Sequence, residues 1–306
     1  MSEDSYVHSA ALMGTVITIE VVRHDADESQ KTERQLAVER AIEWFRHIES
    51  SCSRFDPESE LRQLTARVGV AVPASDVLLE VVRFALALAE ETDGAFDPTI
   101  GHRMEQRGFD RDYRTGSVVR TAIDAAHTAS YRDVRLDPDA RTITLHRPLV
   151  LDLGAVAKGF AVDMAARELA VFENFAIDAG GDLYLGGCNA RGEPWSVGIR
   201  HPRDEHQLID TLRVSNTAVC TSGDYERRAA RDALAAGHHI MDARTGESST
   251  NAASVTVVAP LAMVADGLAT AAFVLGPTRG IELLERHGVS GLIVTPSLEC
   301  FATRDA

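Results

Sequence analysis

Leu149-Val150-Leu151-Asp152-Leu153-Gly154-Ala155-Val156-Ala157-Lys158-Gly159-Phe160-Ala161-Val162-Asp163, running on to residue 169, is the stretch on which the rest of the chain turns. A short apolar run ends in Asp152, Gly154 follows, and small and apolar residues then recur at helical spacing. The pattern reads as strand, tight turn, helix. Such a junction presents backbone N–H groups at a helix N-terminus, which suits an anion such as phosphate. Asp152 falls where the strand ends and Lys158 about one turn into the helix. An acceptor, a small residue that allows close approach and a cation therefore lie along one short path. Taken alone, the stretch is equally well a buried strand–helix unit with an N-capping aspartate and a solvated lysine. Its surroundings decide.

Downstream, residues 175–179 read as a strand ending in Gly180-Gly181-Asp182, and paired glycines there permit positive φ or a close backbone approach. Strands follow at 183–185, 195–199, 208–214, 218–221 and 255–259. A helix over 263–275 places Asp266 and Thr270 at i and i+4, on one face. Gly276-Pro277 stops it, a further helix spans 279–287, and 292–294 with 299–302 form a terminal hairpin. Upstream, 134–136 and 142–145 flank Asp137-Pro138-Asp139-Ala140-Arg141 as another hairpin. Residues 16–22 alternate as a strand entered through Met13-Gly14-Thr15. A helix from Asp27 to Ser51 lines up Val38, Ile42, Phe45, Ile48 and Cys52. Ser59 and Ser75 are N-cap candidates, the second for a helix over 77–91 expected to be deeply buried. The loop Ala95-Phe96-Asp97-Pro98-Thr99 offers an aromatic ring beside a turn, and 103–117 is charged and irregular. Strands and helices mix without βαβ alternation, so the expected class is α+β, with mixed or antiparallel sheets packed against helices.

Composition narrows the function. A formal net charge of -15 over 306 residues argues against a nucleic-acid surface. An acidic protein with a phosphorylated ligand must neutralise it locally, by a metal ion or helix N-termini. Cys52, Cys188, Cys220 and Cys300 are scattered, without a Cys-x-x-Cys pair, and read as reduced thiols. The acidic start Met1-Ser2-Glu3-Asp4-Ser5 has no leader or lipidation pattern. No apolar run is long enough to span a membrane, and the cytoplasm is the expected compartment.

In order along the chain stand Met13-Gly14-Thr15; Ser53-Arg54-Phe55-Asp56 with Ser59-Glu60-Leu61; Gly94-Ala95-Phe96-Asp97-Pro98-Thr99; and Asp152 to Gly159. Then come Asp178-Ala179-Gly180-Gly181-Asp182, Thr221-Ser222-Gly223-Asp224-Tyr225-Glu226, His239-Ile240-Met241-Asp242 with Thr245-Gly246, and Ala265-Asp266-Gly267-Leu268-Ala269-Thr270. Each is weak alone; together the ordered set resembles the ApbE family of FAD:protein FMN transferases, over almost the whole chain. The resemblance implies a single domain over 1–306 with a T-fold-related architecture. It implies a Mg²⁺-dependent enzyme that cleaves the FAD pyrophosphate and transfers FMN to a threonine or serine hydroxyl of an acceptor protein, releasing AMP. Carried over by position, Met13, Phe55, Ala95, Phe96, Asp97, Asp152, Lys158 and Ile240 or Met241 line the FAD. Asp266, Thr270 and a backbone carbonyl near Ala155 hold the metal, and His239 is the general base, a role that suits imidazole. The chain departs from the family pattern at Phe55, often Tyr; at Ala243, usually Pro; and at Arg107-Gly108-Phe109-Asp110, where Trp-Gly-Phe-Gly is common. Two other readings share these residues: an FAD pyrophosphatase with water as acceptor, and a flavin-binding or delivery protein without chemistry.

Overall fold

A computed structural model describes residues 5–22, 28–122, 129–225 and 237–304, with side chains from residue 32 onward in the second stretch. Asp27 and Glu226, which the sequence reading included, lie outside the described residues. In chain order the elements are β1 (Ser5–Leu12), β2 (Thr15–Val22), α1 (Glu28–Cys52), α2 (Glu60–Thr65), β3 (Ala71–Pro73), α3 (Asp76–Glu91), α4 (Gly101–Gln106), β4 (Val134–Asp137), β5 (Thr142–Leu145) and α5 (Gly154–Leu169). The second half contains β6 (Phe175–Ala179), β7 (Asp182–Gly186), β8 (Trp195–Arg200), β9 (Leu208–Val214), β10 (Thr217–Gly223), β11 (Met241–Asp242), β12 (Glu247–Ser248), β13 (Ser254–Ala259), α6 (Ala262–Arg286), β14 (Ser290–Val294) and β15 (Cys300–Ala302).

One eight-stranded sheet, ordered β1-β2-β6-β7-β10-β13-β14-β15, dominates. All its pairings are antiparallel, so the α+β expectation holds. The alternation in β2 has its physical cause here: Ile17, Ile19 and Val21 are fully buried, while Val16, Thr18 and Glu20 face outward. Helix α5 packs between α1 and α6, and α6 lies on β10, β13 and β14. The expected face of α1 is buried from Val38 to Cys52, and one contiguous core runs from Ile17 to Ile293. Among the described residues, no helix is long and apolar enough to cross a membrane.

Both caps form: Ser59 Oγ accepts from the Arg62 amide at 3.1 Å and Ser75 Oγ from the Leu78 amide at 3.2 Å. The helix stop at Gly276 is a kink, with φ 77° in an otherwise continuous α6. The sequence offers no element before Met13, yet β1 pairs with β2 along its whole length; an edge strand has one solvated side and need not look apolar. Two expectations are corrected. Helix α3 buries one face, with Leu79, Phe84 and Leu86 only half-covered. The run before Asp152 is not a strand: Val150 makes a single parallel bridge to Ile100. Its backbone is taken up by the 98–101 segment, where Gly101 N donates to Val150 O (3.1 Å) and Asp152 N to Pro98 O (2.7 Å).

Candidate functional site

The site-bearing end of the sheet is set by two tight hairpin turns. Met13-Gly14 joins β1 to β2 with φ 52° and 75°, and Gly180-Gly181 joins β6 to β7 with φ 66° and 97°. Positive φ at both central residues is the twist-matched hairpin geometry. A side chain at Gly180 would also collide with Thr15. The turns adjoin because Ile17 pairs with Ala179. Directly after the second turn, Asp182 pairs with Cys220 of β10, whose far end, Ser222-Gly223, reaches the same edge.

Helix α5 begins here. Its N-cap is Leu153, not Asp152; Asp152 Oδ1 instead accepts the first helical amide, Gly154 N, at 2.9 Å. The other carboxylate oxygen takes the Arg54 Nε–H at 2.5 Å. One turn on, the Lys158 ammonium forms an ion pair with Asp182, the aspartate buried and the lysine largely covered. Gly159 lets α6 cross closely: a Cβ there would lie 2.5 Å from Ala262 O. Asp163 fastens the crossing by accepting the Ala262 and Met263 amides at 2.6 and 3.0 Å, an N-terminal carboxylate in the arrangement a helix dipole favours. Asp266 thereby arrives beside Lys158 and Asp182, and Thr270, one turn later, shares a hydrogen bond with Ser222 Oγ at 3.1 Å. The i, i+4 pair does lie on one face, and that face meets the sheet.

Charge is unbalanced in this cluster. Burial would lower the Lys158 pKa, but Asp182 and Asp266 outweigh it and raise it, so the ammonium keeps its proton. One lysine matches one carboxylate. The second, Asp266, is pushed well above the usual range by burial and by Asp182, against Lys158 and the Gly159 amide. Among the described residues, Asp266 Oδ2 is a buried oxygen without a hydrogen-bond partner, a costly arrangement unless a ligand completes it. Burial first, then the two carboxylates, raises the Cys220 thiol pKa as well, so the thiol stays protonated and is no nucleophile. Among the described residues, no group of three or more His, Cys, Asp or Glu side chains forms a metal cage. What the cluster does offer is one buried carboxylate oxygen awaiting a positive partner, with a hydroxyl and the half-buried first turn of α5, at Ala155, nearby in the fold. That donor chemistry fits a hard cation with few protein carboxylates.

The remaining sequence-derived residues lie around this centre in two groups. Met13 is half-buried in its turn, its amide on Glu49 Oε1 at 3.2 Å. Phe55 lies under the Arg54 guanidinium, 4.1 Å from Cζ to ring centroid. Ala95 and Phe96 are in the core, so Phe96 fills space inside the protein instead of presenting its ring. Asp97 accepts from Thr99 N (2.9 Å), Thr99 Oγ1 (2.8 Å) and Tyr131 N (3.0 Å). Burial raises its carboxyl pKa while those bonds pull it back. Ile240 and Met241 are buried, and His239 is half-buried between them and His238. Their hairpin is tied to the 95–103 segment, with Ala243 N on Ala95 O at 3.3 Å and Arg103 on Ala243 O at 2.8 Å. It is also tied to α6, with His238 packed edge-on against Phe273 and Asn251 Nδ2 on Val274 O at 2.6 Å. His238 is a scaffold residue: Nδ1 accepts from Ile240 N at 3.3 Å and Nε2 donates to Ser249 O at 2.9 Å.

Arg54 and Asp182 were missed as site residues. Arg54 bridges Asp152, the Phe109 carbonyl and the Phe55 ring, and its Nη1 is a buried donor without a partner among the described residues. Both residues sat inside quoted motifs; their pairing across long sequence gaps was the signal that no local pattern carries. A cavity of about 310 Å³ opens elsewhere, lined by Asp163, Arg167, Tyr184 and Leu261. It contains none of the proposed flavin or metal residues.

The fold is a helix-covered antiparallel sheet with a lysine, two carboxylates and a helix N-terminus gathered at one end. The chain matches the ApbE family over residues 13–293 and belongs to it. It is 31% identical to the FAD:protein FMN transferase of Vibrio cholerae over 96% of this chain and 88% of that protein. It is likewise 31% identical to that of Treponema pallidum, over 95% and 84%. Among solved structures, the ApbE protein of Thermotoga maritima superposes with a TM-score of 0.84 at 30% identity, covering 98% of this chain and 97% of the other. The flavin transferase ApbE of Vibrio cholerae gives 0.82 at 26%, with 98% and 97% covered.

Proposed function

We propose that the protein is a Mg²⁺-dependent FAD:protein FMN transferase, acting as a single domain. It cleaves the FAD pyrophosphate, joins FMN through its phosphate to a threonine or serine hydroxyl of an acceptor protein, and releases AMP. The observation that carries this reading is Asp266, a buried carboxylate with an open oxygen beside an already matched Lys158–Asp182 pair. The relatives' names supply the substrate. Asp266, Thr270 and the Ala155 carbonyl would hold Mg²⁺, an oxygen-only set that leaves positions for phosphates and water. When bound, the ion supplies charge neutralisation at the pyrophosphate.

The chain's own residues do the rest. Lys158 keeps a fixed positive charge beside the phosphates, and Asp152 orders the α5 N-terminus that faces them. Met13, Phe55 and Asp97 form the walls of the FAD groove, with the buried Ala95, Phe96, Ile240 and Met241 packed behind them. His239 takes the proton from the acceptor hydroxyl onto an imidazole nitrogen as that oxygen attacks the FMN phosphorus. The P–O bond to AMP breaks, and AMP leaves with the bonding electrons. The test is incubation with FAD, Mg²⁺ and a candidate acceptor, followed by mass spectrometry of the acceptor. FMN on one threonine or serine, with one AMP per FMN, is expected. Free FMN with an unmodified acceptor replaces the transferase by a pyrophosphatase. Unchanged FAD overturns the enzymatic reading.

A further inference from the structure

Residues 107–110 depart from the family pattern, and they open an ordered loop that runs on to residue 119. Asp112 organises its tip: Oδ1 accepts from Arg114 N (2.8 Å) and Thr115 N (2.9 Å), and Asp112 O accepts from Gly116 N at 2.8 Å. Arg111 and Val118 bridge across the base, and Val119 N donates to Asp110 O at 2.6 Å. Arg54 fastens the loop to the site floor, because one guanidinium binds both the Phe109 carbonyl and Asp152.

Tyr113 stands at the tip. Its hydroxyl donates to Glu49 Oε1 at 2.8 Å, the oxygen that also takes the Met13 amide at 3.2 Å. The polar end is therefore locked against the Met13-Gly14 turn, yet the residue remains 44% exposed. Arg114 lies 5.7 Å from the ring centroid. A ring fixed at its polar end and open along its apolar body has lost its rotamer freedom before any ligand arrives, so covering it costs little further entropy. Planar rings prefer such offset or edge contacts with aromatic side chains.

We propose that Tyr113 is the platform on which a planar heteroaromatic ring of the dinucleotide stacks. This rests on the transferase reading, which places FAD against Met13 and Phe55. It assigns the ring contact to the loop that begins at that departure, while Phe96, the aromatic expected from sequence, is inside the core. The test is titration of wild type, Tyr113→Ala and Tyr113→Phe with FAD, riboflavin, AMP and inorganic pyrophosphate, Mg²⁺ present. Tyr113→Ala is expected to raise the Kd for FAD about tenfold and to weaken one of riboflavin and AMP equally, which names the ring. Pyrophosphate affinity stays unchanged. Tyr113→Phe keeps the ring without its anchor and loses about threefold. Unchanged FAD affinity in Tyr113→Ala, or an equal loss for all four probes, overturns the platform and leaves the transferase reading intact. A wild type that does not bind FAD overturns both. Matching thermal melts confirm that the variants are folded.

Discussion

The α5–α6 crossing and the 238–248 hairpin carry the two halves of the proposed chemistry, and they settle their polar groups in opposite ways. At the crossing, two carboxylates face one ammonium, and Asp266 Oδ2 is left open. In the hairpin, both His238 ring nitrogens, the His238 carbonyl and the Asp242 carboxylate find local partners. Arg244 holds the Asp242 pKa below its ordinary value, against burial, which alone would raise it. Unbalanced polar groups mark where a ligand is to complete the structure; balanced ones mark what holds a catalytic group in place.

The widest gap between the two regions is expected for Asp266→Ala. Turnover should fall at least a thousandfold across a Mg²⁺ titration while FAD affinity falls less. Without Mg²⁺, the variant should melt above the wild type, by about 1–3 kcal/mol of stability, since an unpartnered buried carboxylate is removed. A variant as active as wild type, or less stable in the metal-free state, breaks the contrast. Next come the adjacent histidines. His239→Ala should lower kcat by about 10²–10⁴, and the acid limb of the pH–rate profile should vanish, because a protonated imidazole cannot accept a proton. His238→Ala should cost about 2–3 kcal/mol in stability through its lost bonds and ring contact, with kcat retained at a temperature where it is folded. The reverse assignment of these phenotypes would show that the roles are exchanged.

A pH effect belongs to the crossing. Burial pushes the Asp163 carboxyl up to about 6, against the two amide hydrogen bonds that lower it. Between its unfolded value near 4 and about 6, the folded state holds a proton that the unfolded state has released. Stability from this group is therefore present below pH 4 and lost as pH rises to about 6, by roughly 3 kcal/mol. Urea unfolding of wild type and Asp163→Asn from pH 4 to 7 reads it: the difference should shift across that window and stay flat above. The smallest effect is Ser248→Ala in the hairpin, which removes the 2.7 Å bond to the His238 carbonyl and should cost about 1 kcal/mol by thermal melting.

What was legible in the sequence was periodic or local. The α1 face, the Ser59 and Ser75 caps, the 134–145 hairpin and the break at Gly276 each follow from a few neighbouring residues, and each formed. Asp266 and Thr270 were read correctly as sharing a face, because i, i+4 geometry needs no tertiary information. Phe96 and Arg54 show the limit. A phenylalanine beside a turn has the same local signature whether it points out or in, and only the packing of α3 and its neighbours decides. Arg54 gains its meaning from Asp152, nearly a hundred residues later. β1 was missed because its order comes from pairing with β2, not from its own pattern.

The strand order has a consequence for how the protein is made. β2 waits for β6, β7 for β10, and β10 for β13, so the central sheet cannot close until most of the chain has left the ribosome. Gly159 and Asp163 meet their partners only when Ala262 has been synthesised. Pairings this distant in sequence fold slowly, and the interval leaves Ile17, Ile19 and Val21 uncovered. The edge that carries the proposed site is thus completed late, and nascent chains stalled before α6 are expected to need chaperone protection and to be inert toward FAD.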